Sequence, residues 1–467
     1  MRFIPAVVVV ALFAALRGSA LSAEPVDVVK TNSLKVYVHY MPWFETPASQ
    51  VDHDWGLHWP MATQNPNIVD ATGKRQIASH FYPKIGPYAS NDPDVIEYHM
   101  LLMKYSGIDG MLIDWYGAQG TNGDVGDLLR NSNEIRDHTH DFGMDFGVVL
   151  EDHFAGNINN ETANIGYLRD NYFNRPEYIR LGAGNDPLVL IFGPQTFTQP
   201  AQWTQILAAA GEDVNFLPLW YQSAPAGTNA DGEFAWVYQD ANTSNHLTHT
   251  TNFYDYQASN LNIAGGAAYP GFDDFYQEGG WGSNLFEIPS NNGQTLQQTL
   301  DLANLHSDEI DFLQLVTWND FGEGTMLEPT VESGFSYLKR IQQFTGVSYG
   351  EAELQLVYRL YLARKKYAGS TAVEAQLDQV STLLAQLKIN DADSLLNAAA
   401  PAGDYDADGN YDGRINAADY TIWRNHLSAG GGGSLASTIP EPSAFTLALL
   451  AISACIHRRG WSRTPAQ

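Results

Sequence analysis

The stretch LVTWNDFGEGTMLEPT, residues 315–330, is an apolar run that ends at Trp318 and gives way to two carboxylates three residues apart, Asp320 and Glu323. A β-rich run followed at once by polar side chains is the pattern of a buried strand that delivers chemistry at its end. Similar runs precede it between Ser33 and Gly346: KVYVHYMPWF, GIDGMLIDWYG, FGVVLEDHF, PLVLIFGP, NFLPLWYQ, EFAWVYQD and GGAAYPGFDD. Continuous apolar runs bounded by Gly and Pro mark parallel strands covered on both faces. Helical patterns such as DVIEYHMLLMKYSG and DVGDLLRNSNEIRDHTHDFG lie between several of them, each closing on a glycine suited to a left-handed helix end. The pattern predicts an α/β chain with a (β/α)8 TIM barrel over residues 33–346.

In such a barrel the working residues sit where strands end. This chain places there Tyr40 and Trp43, Asp114 with Trp115 and Tyr116, Glu151 and Asp152, Trp220 and Tyr221, Tyr238, Tyr269, and finally Asp320 and Glu323. A single acidic strand end reads equally well as a helix cap or a wet loop. Several that deliver carboxylates to one face point to an active site. Glycoside cleavage needs one carboxylic acid to protonate the leaving oxygen and one carboxylate to assist attack, with aromatic faces to hold sugars. No HExxH, P-loop, GxGxxG after a strand, or GxSxG elbow supports a competing chemistry. His53 and His58 lie in a Trp-rich loop, where histidines serve more often as hydrogen-bonding groups than as metal ligands.

The segments YMPWF, GIDGMLIDWYG, VVLED, YPGFDD and TWNDFGEGTMLEPT resemble, in the same order, those of glycoside hydrolase families 99 and 71, endo-acting α-mannanases and α-1,3-glucanases. The resemblance implies a barrel that cuts internal α-glycosidic bonds of a mannan or glucan without a cofactor. It puts the general base on Asp320, the general acid on Glu323, and Glu151 near the sugar 2-hydroxyl. It places Tyr40, Trp43, His58, Trp59, Trp115 and Tyr116 in segments lining the cleft. Asp114, Trp220, Tyr238 and Tyr269 join the expected substrate-binding set by their strand-end positions.

Two departures matter. Family 99 has Glu where Asp320 stands, whereas family 71 resembles this chain in reading Asn-Asp-aromatic-Gly-Glu. Family 99 retains configuration by letting the substrate's own 2-hydroxyl attack. A carboxylate one methylene shorter leaves room for a water, and the expectation is that Asp320 activates water and the enzyme inverts. In EIPSNNGQTLQQ, Ser290 and Leu296 stand where the families tend to carry Arg and Tyr. The alternative is a catalytically inactive carbohydrate-binding cell-surface protein on the same barrel, which would have no need of an acid pair.

Among 467 residues, 25 are basic and 53 acidic, a formal charge of −28, which argues against nucleic acid or anionic membrane as partner. The only cysteine, Cys455, excludes disulfides and Cys-ligated zinc from the globular part. Residues 1–23, with Arg2, FIPAVVVVALFAAL and RGSALSAEP, read as a secretory signal peptide. Residues 351–399 have helical periodicity and no chemistry is assigned to them. In residues 401–428 a calcium loop beginning at Asp404 fails, because Ile415 would fall on the twelfth position. Beginning at Asp408 it succeeds, with Asp408, Asn410, Asp412, the Arg414 carbonyl, Asn416 and Asp419 as Ca2+ ligands and Gly413 at the turn. This resembles a single dockerin-type repeat; dockerins usually carry two loops, which argues against a cohesin partner. A Gly/Ser linker, 429–438, leads to IPEPSAFTLALLAISACIHRRGWSR, residues 439–463, which resembles a PEP-CTERM sorting signal and implies a sorting protease. The competing reading is a weak transmembrane anchor, its apolar stretch being shorter than the ~20 residues of a stable span. The protein is expected to be secreted or held in the cell envelope.

Overall fold

The computed structural model describes residues 24–401. The signal peptide, the calcium loop from Asp408 to Asp419, the linker and the sorting segment lie outside the described residues.

Eight parallel strands form the barrel: β1 Lys35–Tyr40, β2 Gly110–Trp115, β3 Asp145–Leu150, β4 Asp186–Ile191, β5 Asn215–Pro218, β6 Gly232–Phe234, β7 Ile263–Ala268 and β8 Phe312–Leu315. Their pairing runs in chain order from β1 to β5 and from β6 to β8. The ring closes between β8 and β1 through registers such as Val36 opposite Leu313. Between β5 and β6 it is joined by the Leu219–Phe234 bridge, with Trp220 N–H donating to the Phe234 carbonyl at 2.9 Å. All eight apolar runs thus become barrel strands, and the expected (β/α)8 architecture holds.

Strand composition explains the interior. Side chains alternate between the barrel lumen and the helix layer. In β1, His39 faces inward, its Nδ1 3.4 Å from Gln314 Oε1 and its ring 4.8 Å from Trp236, while Tyr40 faces out to His99. In β7 the sequence IAGGAA leaves room for bulky neighbours: a Cβ on Gly265 would lie 2.6 Å from the Phe312 ring and 2.8 Å from Phe234. Small residues in one strand therefore match large ones in the strands beside it.

The outer layer includes α1 Pro93–Tyr105, α2 Val125–Phe142, α3 Ile158–Asn171, α4 Pro200–Leu207, α5 Thr248–Tyr256, α6 Gln294–Leu305 and α7 Ser336–Thr345. The Asp92 side chain caps α1 by accepting from Asp94 N–H, with Pro93 in the first turn, and α2 stops at Gly143 in the left-handed region at φ 64°. Three further helices follow, α8 Glu351–Lys366, α9 Thr371–Ala385 and α10 Ile389–Ala399. Arg364 of α8 clasps Glu97 of α1 with two bonds of 2.8 and 3.0 Å, and Lys365 pairs with Asp92 and Asp94. This fork geometry holds α8 against the helix that carries His99. Among the described residues no helix is long and apolar enough to cross a membrane.

Candidate active site

The segment after β8 is a closed loop built from its own side chains. Thr317 Oγ1 accepts from Asp320 N–H at 2.8 Å, and its hydroxyl lies 3.0 Å from that of Thr325. Asn319 pins the loop to the end of β1, accepting from Met41 N–H at 2.8 Å and donating to the Met41 carbonyl at 2.9 Å and to Tyr88 Oη at 3.1 Å. Tyr88 in turn donates to Glu328 Oε2 at 2.6 Å. Gly324, at φ 68°, has no space for a side chain, because a Cβ there would sit 2.7 Å from the Asp273 carbonyl. The motif's Thr, Asn and Gly are thus scaffold, and they leave Asp320 and Glu323 to face the barrel mouth.

These two carboxyls are distinguished by their surroundings. Asp320 Oδ1 accepts from Glu323 N–H at 2.9 Å. Burial raises the Asp320 carboxyl to about 7 against the opposing pull of backbone N–H groups of Glu323 and Gly322. Glu323 accepts from the Tyr276 hydroxyl at 3.0 Å, and burial followed by the charge of Asp320 holds its carboxyl well above the ordinary range. Asp274 fixes Tyr276 by accepting from Tyr276 N–H at 3.1 Å and from Leu285 N–H at 2.8 Å.

Asp114 and Glu151 converge on the same centre. Asp114 is raised well above the usual value by burial and then by the charges of Glu151, Asp320 and Glu323, and neither of its oxygens has a hydrogen-bond partner among the described residues. Burial also raises Glu151, opposed by His153, whose Nδ1 lies 3.1 Å from Glu151 Oε2. Because the Asp114 carboxyl is raised in the fold, its stabilising protonated form is complete below its unfolded value of 3.8 and is lost as pH climbs through the raised value. Asp114→Asn is therefore expected to raise the thermal midpoint by about 2–4 °C at pH 8 and to leave it unchanged near pH 3. Calorimetry at the two pH values checks this.

Tyr116 stands near the carboxylates, and a second aromatic group gathers around His58 in the loop after β1. His58 stacks on Trp43 with ring centres 4.0 Å apart and meets Trp281 edge-on at 5.3 Å; desolvation pushes its imidazole down to about 3, leaving it neutral. Trp43 Nε1 has no hydrogen-bond partner among the described residues. Tyr116 packs on Phe154 at 4.0 Å and feels the charges of Asp114, Glu151 and Asp320. His53 is a surface group, 3.1 Å from the Pro47 carbonyl. Among the described residues no cluster of three or more His, Cys, Asp or Glu is placed to hold a metal ion.

Several expected cleft residues are placed elsewhere. Tyr40 is buried and bonds His99 at 2.9 Å behind β1. Trp59 lies under Phe44 and Phe321, its Nε1 donating to the Tyr88 carbonyl at 2.8 Å. Trp115 points outward to Tyr167 and Tyr172, the side opposite its strand neighbour Asp114. Trp220 packs on Phe253 of α5, and Tyr269 is fully buried and donates to the His246 carbonyl at 2.8 Å. Strand alternation accounts for Tyr40 and Trp115, since adjacent residues cannot share a face. Tyr238 stays on the rim, 43% exposed. Leu296 is core rather than cleft. Conversely, the structure adds Tyr276, Asp274, His153, Phe154 and Trp281, which strand-end position does not mark. The acidic pair in PGFDD was the visible signal for the first two.

The sequence model described as "Glycosyl hydrolase family 99" matches residues 31–367. The rat (Rattus norvegicus) protein named "Glycoprotein endo-alpha-1,2-mannosidase" is 27% identical over 216 residues, covering 42% of this chain and 46% of its own length. The Xenopus laevis protein of the same name is 26% identical over 196 residues, covering 38% and 41%. The chain thus spans about half the length of the mannosidases it matches. Among solved structures, a family 99 endo-alpha-mannosidase from Bacteroides thetaiotaomicron aligns over 69% of this chain and 98% of its own, with a TM-score of 0.51 and 22% identity. A "Glycoside hydrolase-like protein" aligns over 69% and 96%, with a TM-score of 0.51 and 14% identity. At these identities the structural likeness speaks for the barrel fold.

Proposed function

The chain belongs to glycosyl hydrolase family 99, and from that premise we propose that it is an exported, endo-acting hydrolase of internal α-glycosidic bonds in an α-mannan. The observation that carries this reading is the unequal pair on one loop. Asp320 receives backbone N–H groups that favour its carboxylate, while Glu323, buried beside that carboxylate, keeps its proton. Asp320 is then the base and Glu323 the acid that protonates the departing oxygen. Glu151 and Asp114 receive the hydroxyls of the sugar being cleaved, and the Trp43–His58 stack faces the ring.

Asp320 is drawn back into its loop by the bond to Glu323 N–H. That supports a water between base and anomeric carbon, hence inversion. NMR of the first-formed reducing end is expected to show the β-anomer; an α-anomer would remove the water from this role and favour attack by the substrate's 2-hydroxyl. The overall reading is tested by incubating the protein with α-mannan and with α-1,3-glucan and following product sizes. Early appearance of intermediate-length mannan fragments is expected. Export, calcium binding at Asp408–Asp419 and C-terminal sorting belong to the same proposal and are supported by the sequence motifs.

A further inference from the structure

Behind β1, His99 of α1 meets a group of buried polar side chains that reaches the Asp320–Glu323 loop. Glu328 is fully buried, and a carboxyl taken out of water is retained only where its oxygens are used. Its Oε2 accepts from the Tyr88 hydroxyl at 2.6 Å, and its Oε1 lies 3.4 Å from His99 Nε2. A tyrosine hydroxyl has one proton to give. Because Tyr88 gives it to Glu328, the Tyr88 oxygen is left to accept, and it accepts from Asn319 Nδ2 at 3.1 Å. That contact turns the Asn319 amide the right way round for its two bonds with Met41. The Tyr88 ring is held edge-on by Phe44, Trp59 and His99, with centres 5.6, 5.5 and 5.2 Å away, so close packing keeps the hydroxyl in place. Glu328 N–H donates to the Trp318 carbonyl at 2.8 Å. Trp318, Asn319, Tyr88 and Glu328 are thus linked in a closed ring by one peptide bond and three hydrogen bonds, and Asp320 is the next residue along the chain.

We propose that Tyr88 and Glu328 are positioning residues for the base: their bond fixes the Asn319 amide, and Asn319 holds Asp320 at its working distance from the anomeric carbon. A base set back by about 1 Å loses on the order of 100-fold in rate. Burial, and then the charge of Glu328, raises the Tyr88 hydroxyl well above its ordinary value, so the phenol keeps the proton on which the direction of the ring depends. This role presupposes the reading of the chain as an α-mannan hydrolase.

Tyr88→Phe keeps the packed ring and removes the hydroxyl. Glu328→Leu removes the acceptor at similar volume, whereas Glu328→Gln keeps one, its amide oxygen taking the Tyr88 proton. On α-mannan, Tyr88→Phe and Glu328→Leu are each expected to lower kcat by about 10- to 100-fold with KM within about twofold, and Glu328→Gln to stay within about threefold of wild type. The double variant Tyr88→Phe/Glu328→Leu is expected to be no slower than the slower single one, because both changes act through one bond. Losses that multiply in the double variant, or that are carried by KM, would overturn the role. Amide hydrogen exchange gives a readout without activity, since Asp320 N–H and Glu323 N–H are both bonded within the loop. Exchange about tenfold faster at these two amides is expected in Tyr88→Phe, with the barrel strands unchanged and Glu328→Gln at the wild-type rate. Unchanged exchange at the loop, or an equal rise throughout the barrel, would overturn the role. If wild type cleaves neither α-mannan nor α-1,3-glucan, the hydrolase reading fails, and the exchange result alone decides whether Tyr88 and Glu328 hold the loop.

Discussion

Glu323→Gln is expected to lower kcat on unactivated α-mannan by about 100- to 10,000-fold, the range carried by a positioned general acid. Gln keeps the volume and still accepts from the Tyr276 hydroxyl, which is now 3.0 Å from Glu323 Oε1, so the loop is preserved and only the transferable proton is lost. The control is α-mannobiosyl fluoride, whose leaving group needs no protonation and should be cleaved nearly as fast as by wild type. Near-normal turnover on mannan would take Glu323 out of the acid role. Equal loss on both substrates would point to damage to the loop.

Asp320→Asn is expected to cost a similar factor and to change the shape of the pH profile. A base must be ionised, so wild-type kcat/KM should rise as pH climbs through about 7, the value to which burial brings Asp320. It should fall again where Glu323, held higher by burial and by the charge of Asp320, gives up its proton. In Asp320→Asn the residual rate should lack the rising limb. Stability follows the opposite sign. A buried carboxyl raised from 3.8 to about 7 favours the fold in its protonated form, so that contribution is complete below 3.8 and gone above about 7. Wild type should therefore become less stable over the same interval in which it gains activity, and Asp320→Asn should lose much of that decline. A wild-type profile flat from pH 5 to 8 would remove Asp320 as the base.

Both expectations depend on surroundings that are only partly visible in the chain. The eight apolar runs are legible as strands because a strand covered on both faces must be apolar throughout, whatever its neighbours. The acidic strand ends are legible for the complementary reason: carboxylates cost too much to bury without function or partner, so they stand out at the end of each run. Aromatic residues carry no such signal. Trp43 and Trp115 occupy similar places in their segments, yet one stacks on His58 of the loop after β1 and the other faces the helix layer. An aromatic side chain is equally at home in core and cleft, and only strand alternation and helix packing decide between them.

The sequence by itself determined the pattern of barrel strands and set two carboxyls, Asp320 and Glu323, three residues apart at the end of the last one. Both follow from local composition and spacing, which survive whatever the distant chain does. Tertiary structure alone decided which of the two carboxyls is raised further, because that depends on burial and, for Glu323, on the charges of Asp320, Asp274 and Glu151, the last two brought from other segments. It also brought Tyr276 to Glu323 across 47 residues. Desolvation and like charge are properties of groups remote in the chain, and they come into being only when the strands close into a ring.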